Sequence, residues 1–305
     1  MRTLTYPNRD LRALPLVASE VLESLYQHRL LTTRQIHLIH TPHASRRWTR
    51  HVLTGLTRRG LTSYVRARKG GGGLYFLTPA GADAVELITT RAEMRRKLIS
   101  AEQAAGPLRA HTLAVNDVGI AFLIAARARR DECGPLGWQH EIVHPVGRKR
   151  GELLIADALL SYLQHRLDGE LAFHYRLLEL DRATVPSDTL ATKLARYTRL
   201  YRYTPESQRE PLWRRRYPVF PGIICVLAGQ PRSVLERRAR TVLALCHEDP
   251  DLQRTPQVEI SLCLLDDLDA LGPFAAIWQR PNQPDQRLDW LGSPASANRD
   301  RGPAR

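Results

Sequence analysis

The chain has 305 residues, of which 45 are Lys or Arg and 31 are Asp or Glu, giving a formal charge of +14. With 43% hydrophobic and 25% charged residues it carries enough apolar material for real cores, which excludes wholesale disorder and the collagen-like, coiled-coil and mucin-like classes. The length suits two domains. No stretch approaches the roughly 18 consecutive apolar residues of a membrane span, and MRTLTYPNRDLR lacks an apolar signal core, so a cytoplasmic location without membrane contact is expected. The four cysteines, Cys133, Cys225, Cys246 and Cys263, form no CxxC pair, which argues against a zinc ribbon or a disulfide framework.

The charge is unevenly placed. Residues 1–110 hold 18 basic against 7 acidic residues, and no acidic residue falls between Glu23 and Asp83. Arg34, Arg46, Arg47, Arg50, Arg66, Arg68 and Lys69 all lie in that interval. Such a one-sided block creates a field suited to a polyanion, whose phosphates it neutralises with release of counterions.

The predicted elements beneath this charge run as follows. Leu14, Val17, Val21, Leu22 and Leu25 recur at helical spacing and predict a first helix ending near His28. Thr32 or Thr33 caps a short second helix with Ile36 and Ile39 inward. A third helix over 44–59 turns Trp48, Val52, Leu53 and Leu56 inward and Arg46, Arg47 and Arg50 outward. A strand over 61–68, a turn at Gly70–Gly73 and a strand over 74–77 follow, and Thr78-Pro79 opens another helix. The phrase LYFLTPAGADAVEL resembles the segment joining wing to last helix in many winged-helix DNA-binding domains. That resemblance implies double-stranded DNA as partner, with the third helix in the major groove and Arg66, Arg68 and Lys69 on adjacent backbone. The glycine run is not a P-loop, since no GK[ST] follows, and His37, His40 and His43 lack neighbouring Cys or acidic residues to complete a zinc site.

Farther along, residues 111–130 predict an apolar-faced helix and 138–144 a strand. Two apolar runs joined at Asp168-Gly169 read as a hairpin. A helix over 189–203, a strand over 219–227, a helix over 233–246 and a strand over 258–265 complete an α-β-β-β-α-β core with an added α-β pair, a mixed sheet flanked by helices. Carboxylates inside apolar strands are expensive unless used or paired. Asp157 lies on one hairpin arm, and Glu179 and Asp181, two apart, project from one face of the other. If Asp157 lies opposite, three carboxylates converge, a set suited to Mg²⁺ or Mn²⁺. Lys193, one of four lysines among 41 arginines, could supply an ammonium from the next helix. A plainer account pairs Asp157 and Glu179 with Arg176 or Arg182 and leaves Lys193 in solvent.

The succession HTLAVNDV, Trp138 and Glu141, IADALL, LLELDRAT and TKLARY resembles the replication-relaxation family of plasmids and other mobile elements, from about Leu11 to Asp267. The resemblance implies an α/β plus α+β chain: a winged helix-turn-helix over 1–105 and a PD-(D/E)XK nuclease-like domain over 106–275. It makes Asp157 the first acidic position, Glu179 the second and Glu141 an auxiliary metal-binding carboxylate. Two departures stand out: Ala156 replaces a proline, and Asp181 replaces the lysine, leaving Lys193 to provide the ammonium. The implied activity is metal-dependent DNA nicking in replication or transfer, alongside a relaxase or replication initiator and with homodimerisation open. The alternative is a transcription regulator or scaffold whose nuclease-like domain binds without cutting. Residues 276–305, rich in Pro, Asn, Asp and Ser, are expected to be a disordered tail.

Overall fold

The computed structural model describes residues 15–66, 72–88, 98–149 and 151–294. The chain divides into two compact units, 1–113 and 114–305. In the first, α1 (Leu16–His28) leads into β1 (Leu31–Thr32), α2 (Thr33–His40) and α3 (Arg46–Arg58). The strands β2 (Thr62–Arg66) and β3 (Gly73–Leu77) pair antiparallel, β1 adds to the far edge of β3, and α4 (Pro79–Ile88) and α5 (Ala101–Ala105) follow. Thr32 caps α2 through a capping box with Gln35, satisfying two orphan backbone donors reciprocally. Ser45 caps α3 by accepting from the Trp48 amide.

The buried face of α3 corrects the sequence expectation. Thr49, Leu53 and Leu56 form the buried stripe, while Trp48 is 40% exposed. Thr49 belongs inside because its hydroxyl is satisfied there, meeting Thr41 Oγ1 at 2.7 Å and His37 Nδ1 at 2.9 Å. Trp48, one position earlier on the helix, is rotated outward.

The second unit is built on one seven-stranded sheet. Most of α6 (Leu108–Arg129) belongs to it, followed by β4 (Trp138–Pro145), β5 (Leu153–His165) and β6 (Leu171–Asp181). Next come α7 (Ser187–Ala195), α8 (Tyr197–Arg202), β7 (Gly222–Leu227), α9 (Arg232–Glu248), α10 (Pro250–Gln253), β8 (Ile260–Leu264) and α11 (Leu265–Leu271). The chain closes with β9 (Trp278–Arg280) and β10 (Gln283–Leu288). The spatial order is β10-β9-β8-β7-β6-β5-β4, with β6, β7 and β8 mutually parallel and the remaining neighbours antiparallel. Gly169, at φ 85°, takes the left-handed position that lets the β5–β6 hairpin turn.

One face of the sheet buries Leu177, Ile223 and Leu262 against Leu190 and Leu194 of α7 and Leu235, Val242 and Leu243 of α9. The other receives α6: Asn116 accepts from Trp138 Nε1 at 3.0 Å, and Gly119 lies so close to the Trp138 ring that an added Cβ would fall 2.2 Å from it.

The expected disorder from residue 276 is corrected as far as Pro294. The strands β9 and β10 extend the sheet, and Trp290 is 1% exposed, edge-on to Phe122 and Tyr162 at 5.1 Å each and to Phe274 at 5.7 Å. A polar edge strand needs few apolar residues of its own when one tryptophan anchors its end. The four cysteines are free and buried.

Candidate functional site

The hairpin of β5 and β6 brings the two central carboxylates together. Its register pairs Ala158 with Leu178, the residues next to Asp157 and Glu179 on the two arms. From α7, Lys193 reaches down to both: its ammonium donates to Glu179 Oε2 and lies 3.9 Å from Asp157 Oδ1. Tyr197 follows one helical turn later on the same side and donates its hydroxyl to Glu179 Oε1 at 2.6 Å. The Leu180 amide donates to Asp157 Oδ2 at 2.8 Å. Glu179 is thus sealed at the bottom with its side chain 2% exposed, while Asp157 and Lys193, at 20% and 35%, form the mouth.

The electrostatics follow from this burial. Desolvation, reinforced by the Asp157 charge, pushes the Glu179 pKa up to about 8 against the opposing pull of Lys193 and Tyr197. Burial works to lower the Lys193 pKa, but Glu179 and Asp157 together hold it above its ordinary value, so the ammonium persists at neutral pH. The Tyr197 hydroxyl is raised by burial and then by Glu179, and it remains a donor.

Asp181 goes elsewhere. Arg238 of α9 grips it with two N–H donors, the Nη2 contact measuring 3.1 Å, and donates through Nη1 to Ser187 Oγ at 3.2 Å. The expected convergence of three carboxylates therefore reduces to two, and among the described residues no group of three or more His, Cys, Asp or Glu side chains is arranged to hold a metal ion. The donor chemistry fits Mg²⁺ or Mn²⁺ only in the mode where one or two carboxylates suffice and waters and substrate phosphates complete the shell. Glu141 is exposed in mid-strand with φ 53°, between the His140–Ala158 and Ile142–Ala156 pairs. Before it, His140 meets Asn116 of α6 at 2.8 Å, and after it Ile142 joins the core under α7 and α9, so Glu141 marks a change of face in β4.

The plainer sequence account is also corrected in part. Glu179 is held by Lys193 and Tyr197 rather than by an arginine, and Arg176 lies over the Trp290 ring, 5.0 Å from its centroid. Tyr197 and Arg238 were not foreseen. Tyr197 had a signal in its four-residue spacing from Lys193, whereas nothing local marks Arg238, 57 positions from Asp181.

In the first unit Arg34, on α2, Arg46, Arg47 and Arg50, on α3, and Arg66, on β2, are exposed. Arg46 and Arg50 share a helix face, with Arg47 and Trp48 beside them. Arg68 and Lys69 lie outside the described residues. His37 bonds to Thr41 and Thr49, and His40 meets Ser24 Oγ at 2.9 Å, so both imidazoles serve helix packing. Burial and the nearby Arg46 lower the His37 pKa.

A family model described as Replication-relaxation matches residues 22–212, well over half of the sequence. The chain belongs to this family. The matched span carries the exposed arginines described above and the whole Asp157–Glu179–Lys193–Tyr197 cluster. Membership brings the coarse role that the family's description states, replication or relaxation. No curated protein matches this replication-relaxation protein. Among its described residues, no helix is long and apolar enough to cross a membrane.

Proposed function

We propose that this replication-relaxation protein binds double-stranded DNA of a mobile element through its first unit, acting as a winged helix-turn-helix, and nicks a DNA strand at the Asp157–Glu179 pair. The observation that carries the reading is Lys193, a rare lysine that crosses from α7 to serve both carboxylates. Asp157 and Glu179 would hold Mg²⁺ or Mn²⁺, which when bound contributes charge neutralisation and polarisation of the scissile phosphate. Lys193 stabilises the negative charge that grows on the phosphoryl oxygens. Tyr197 and the Leu180 amide fix the two carboxylates in place, so neither needs to reorganise during reaction. Glu141, on the exposed side of β4, is the auxiliary carboxylate that could complete the set. The first unit delivers this site through α3 in the major groove, with Arg46, Arg47 and Arg50 on phosphates and base edges. A cytoplasmic relaxase or replication initiator, or a second copy of the chain, is the partner class that such a role requires.

A specific observation supports a second reading. Glu179 has both oxygens occupied by protein donors, and Asp181, where a nuclease of this type has its lysine, is neutralised by Arg238. In that reading the cluster is structural, and the protein is a DNA-binding regulator or scaffold. Supercoiled plasmid incubated with Mg²⁺ or Mn²⁺ separates the two. Nicking by the wild type that disappears in both Asp157→Ala and Glu179→Ala supports catalysis; absence in the wild type, or survival in both variants, leaves the structural reading.

A further inference from the structure

In the second unit several arginines end on carboxylates. Arg129 meets Asp131, Arg202 meets Asp251, Arg232 meets Asp267, Arg238 meets Asp181 and Arg280 meets Glu259. The consecutive run Arg214, Arg215 and Arg216 does not. All three are exposed, and among the described residues none forms an ion pair with a carboxylate.

The run is held on a rigid mount. It sits on a 3-10 turn, Leu212–Arg215, whose Trp213 is buried, stacked on Tyr201 at 6.0 Å, edge-on to Phe220 at 5.3 Å and bonded through Nε1 to the Tyr201 carbonyl at 3.0 Å. On the other side, buried Tyr217 meets His144 Nε2 of β4 at 2.9 Å. Burial, aided by the Arg216 charge, lowers the His144 pKa to about 4, so this anchor does not change protonation near neutrality. The Arg214 and Arg216 guanidinium groups lie 5.1 and 5.7 Å from the centroids of the Trp213 and Tyr217 rings beside them. Two buried aromatics thus fix the backbone while three like charges are turned outward. Such an array carries uncompensated repulsion that a polyanion relieves.

The mount ties the run to the same core as the carboxylate pair's helix, since Trp213 and Tyr217 pack in one cluster with Leu194 and Tyr197. His144 pairs across the sheet with Leu154, which precedes Asp157 by three residues on β5, or about 10 Å of strand. Arg196, just past α7, binds the Leu153 carbonyl at 2.9 Å and adds a cation along the same edge.

We infer that the turn bearing Arg214, Arg215 and Arg216 is a phosphate-binding ledge that holds a nucleic-acid strand beside the Asp157–Glu179 pair. This rests on the reading of that pair as acting on DNA. It adds a grip within the second unit that is separate from the α3 arginines. Guanidinium groups on a preorganised turn suit phosphate oxygens, to which they donate in fork geometry.

The test is equilibrium binding of the full chain to a duplex and to one of its single strands across a salt series. Replacing all three arginines with glutamine should lower the slope of log affinity against log salt by about 2 to 3 on duplex and by about 2 on the single strand, at roughly 0.9 and 0.7 per phosphate contact. The triple lysine variant should keep the wild-type slope, which separates lost charge from lost folding. An unchanged slope in the glutamine variant, with the slope reduced by Arg46→Gln, Arg47→Gln and Arg50→Gln, overturns the ledge and leaves DNA binding by the first unit intact. Failure of the wild type to bind either nucleic acid at low salt overturns both. Tighter, arginine-dependent capture of polyglutamate than of DNA would assign the turn to an acidic protein and also overturn the proposal.

Discussion

Glu179 should make the folded protein less stable as the pH rises. Its side chain is sealed from solvent, and burial with the adjacent Asp157 charge lifts its pKa from an ordinary 4.5 to about 8. The sign follows from proton counting: between these values the native state binds more protons than the unfolded chain, so the unfolding free energy falls as pH rises. The slope is at most about 1.4 kcal/mol per pH unit, and the full ionisation cost is on the order of 5 kcal/mol. Glu179→Gln keeps the shape and a neutral polar head, so its curve should lack this fall. Urea unfolding of wild type and variant, compared from about pH 5 to about pH 9, isolates Glu179 with its direct partners Lys193 and Tyr197, because titrations elsewhere are common to both proteins. The variant should gain stability relative to wild type steadily across that window, then level off. Parallel curves would refute the burial argument, since they would mean that Lys193 and Tyr197 hold the native carboxylate as readily as water does.

Three further outcomes follow from the packing. Arg238→Met strands the buried Asp181 carboxylate and should cost about 3–5 kcal/mol, measured by urea unfolding; a loss under about 1 kcal/mol would show the pair to be solvated. Trp290→Ala should cost about 3–5 kcal/mol, because the residue fills an aromatic cluster with Phe122, Tyr162 and Phe274, whereas a freely moving tail would tolerate it. Trp48 is the exposed member of five tryptophans, the other four being buried, so duplex DNA docking on α3 should quench intrinsic fluorescence. That quench should vanish in Trp48→Phe, and a full quench in this variant would move the DNA away from α3.

The physical basis of the Glu179 prediction also explains the tension in the proposed function. A carboxylate that holds its proton up to about pH 8 is a poor resting ligand, yet a divalent cation beside it would displace that proton. Uptake of Mn²⁺ at neutral pH should therefore release protons, measurable in weakly buffered solution, and Glu179→Gln should suppress the release.

Much of the architecture was legible in the sequence because the forces that set it are local. Helical spacing of Val21, Leu22 and Leu25, a threonine cap at Thr32 or Thr33 and the Asp168-Gly169 turn each act within a few residues, and the helices and hairpin stand where those signals point. The same hairpin puts Asp157 on one arm and Glu179 on the other, since a short turn sets the register of both arms. Partner choice was not legible. Whether Asp181 would meet Lys193 or Arg238 depended on how α9 crosses the sheet, and the rotation of α3 depended on where the Thr49 hydroxyl found His37 and Thr41. The last strands carry no strong pattern of their own, and Trp290 orders them only because α6 and β5 assemble a pocket from residues far away in the chain. The amino-acid order by itself determined most of the elements and that the hairpin carries Asp157 on one arm and Glu179 on the other. Only the tertiary structure decided which charges those acids meet, because desolvation and ion pairing are settled between segments that no short-range signal connects.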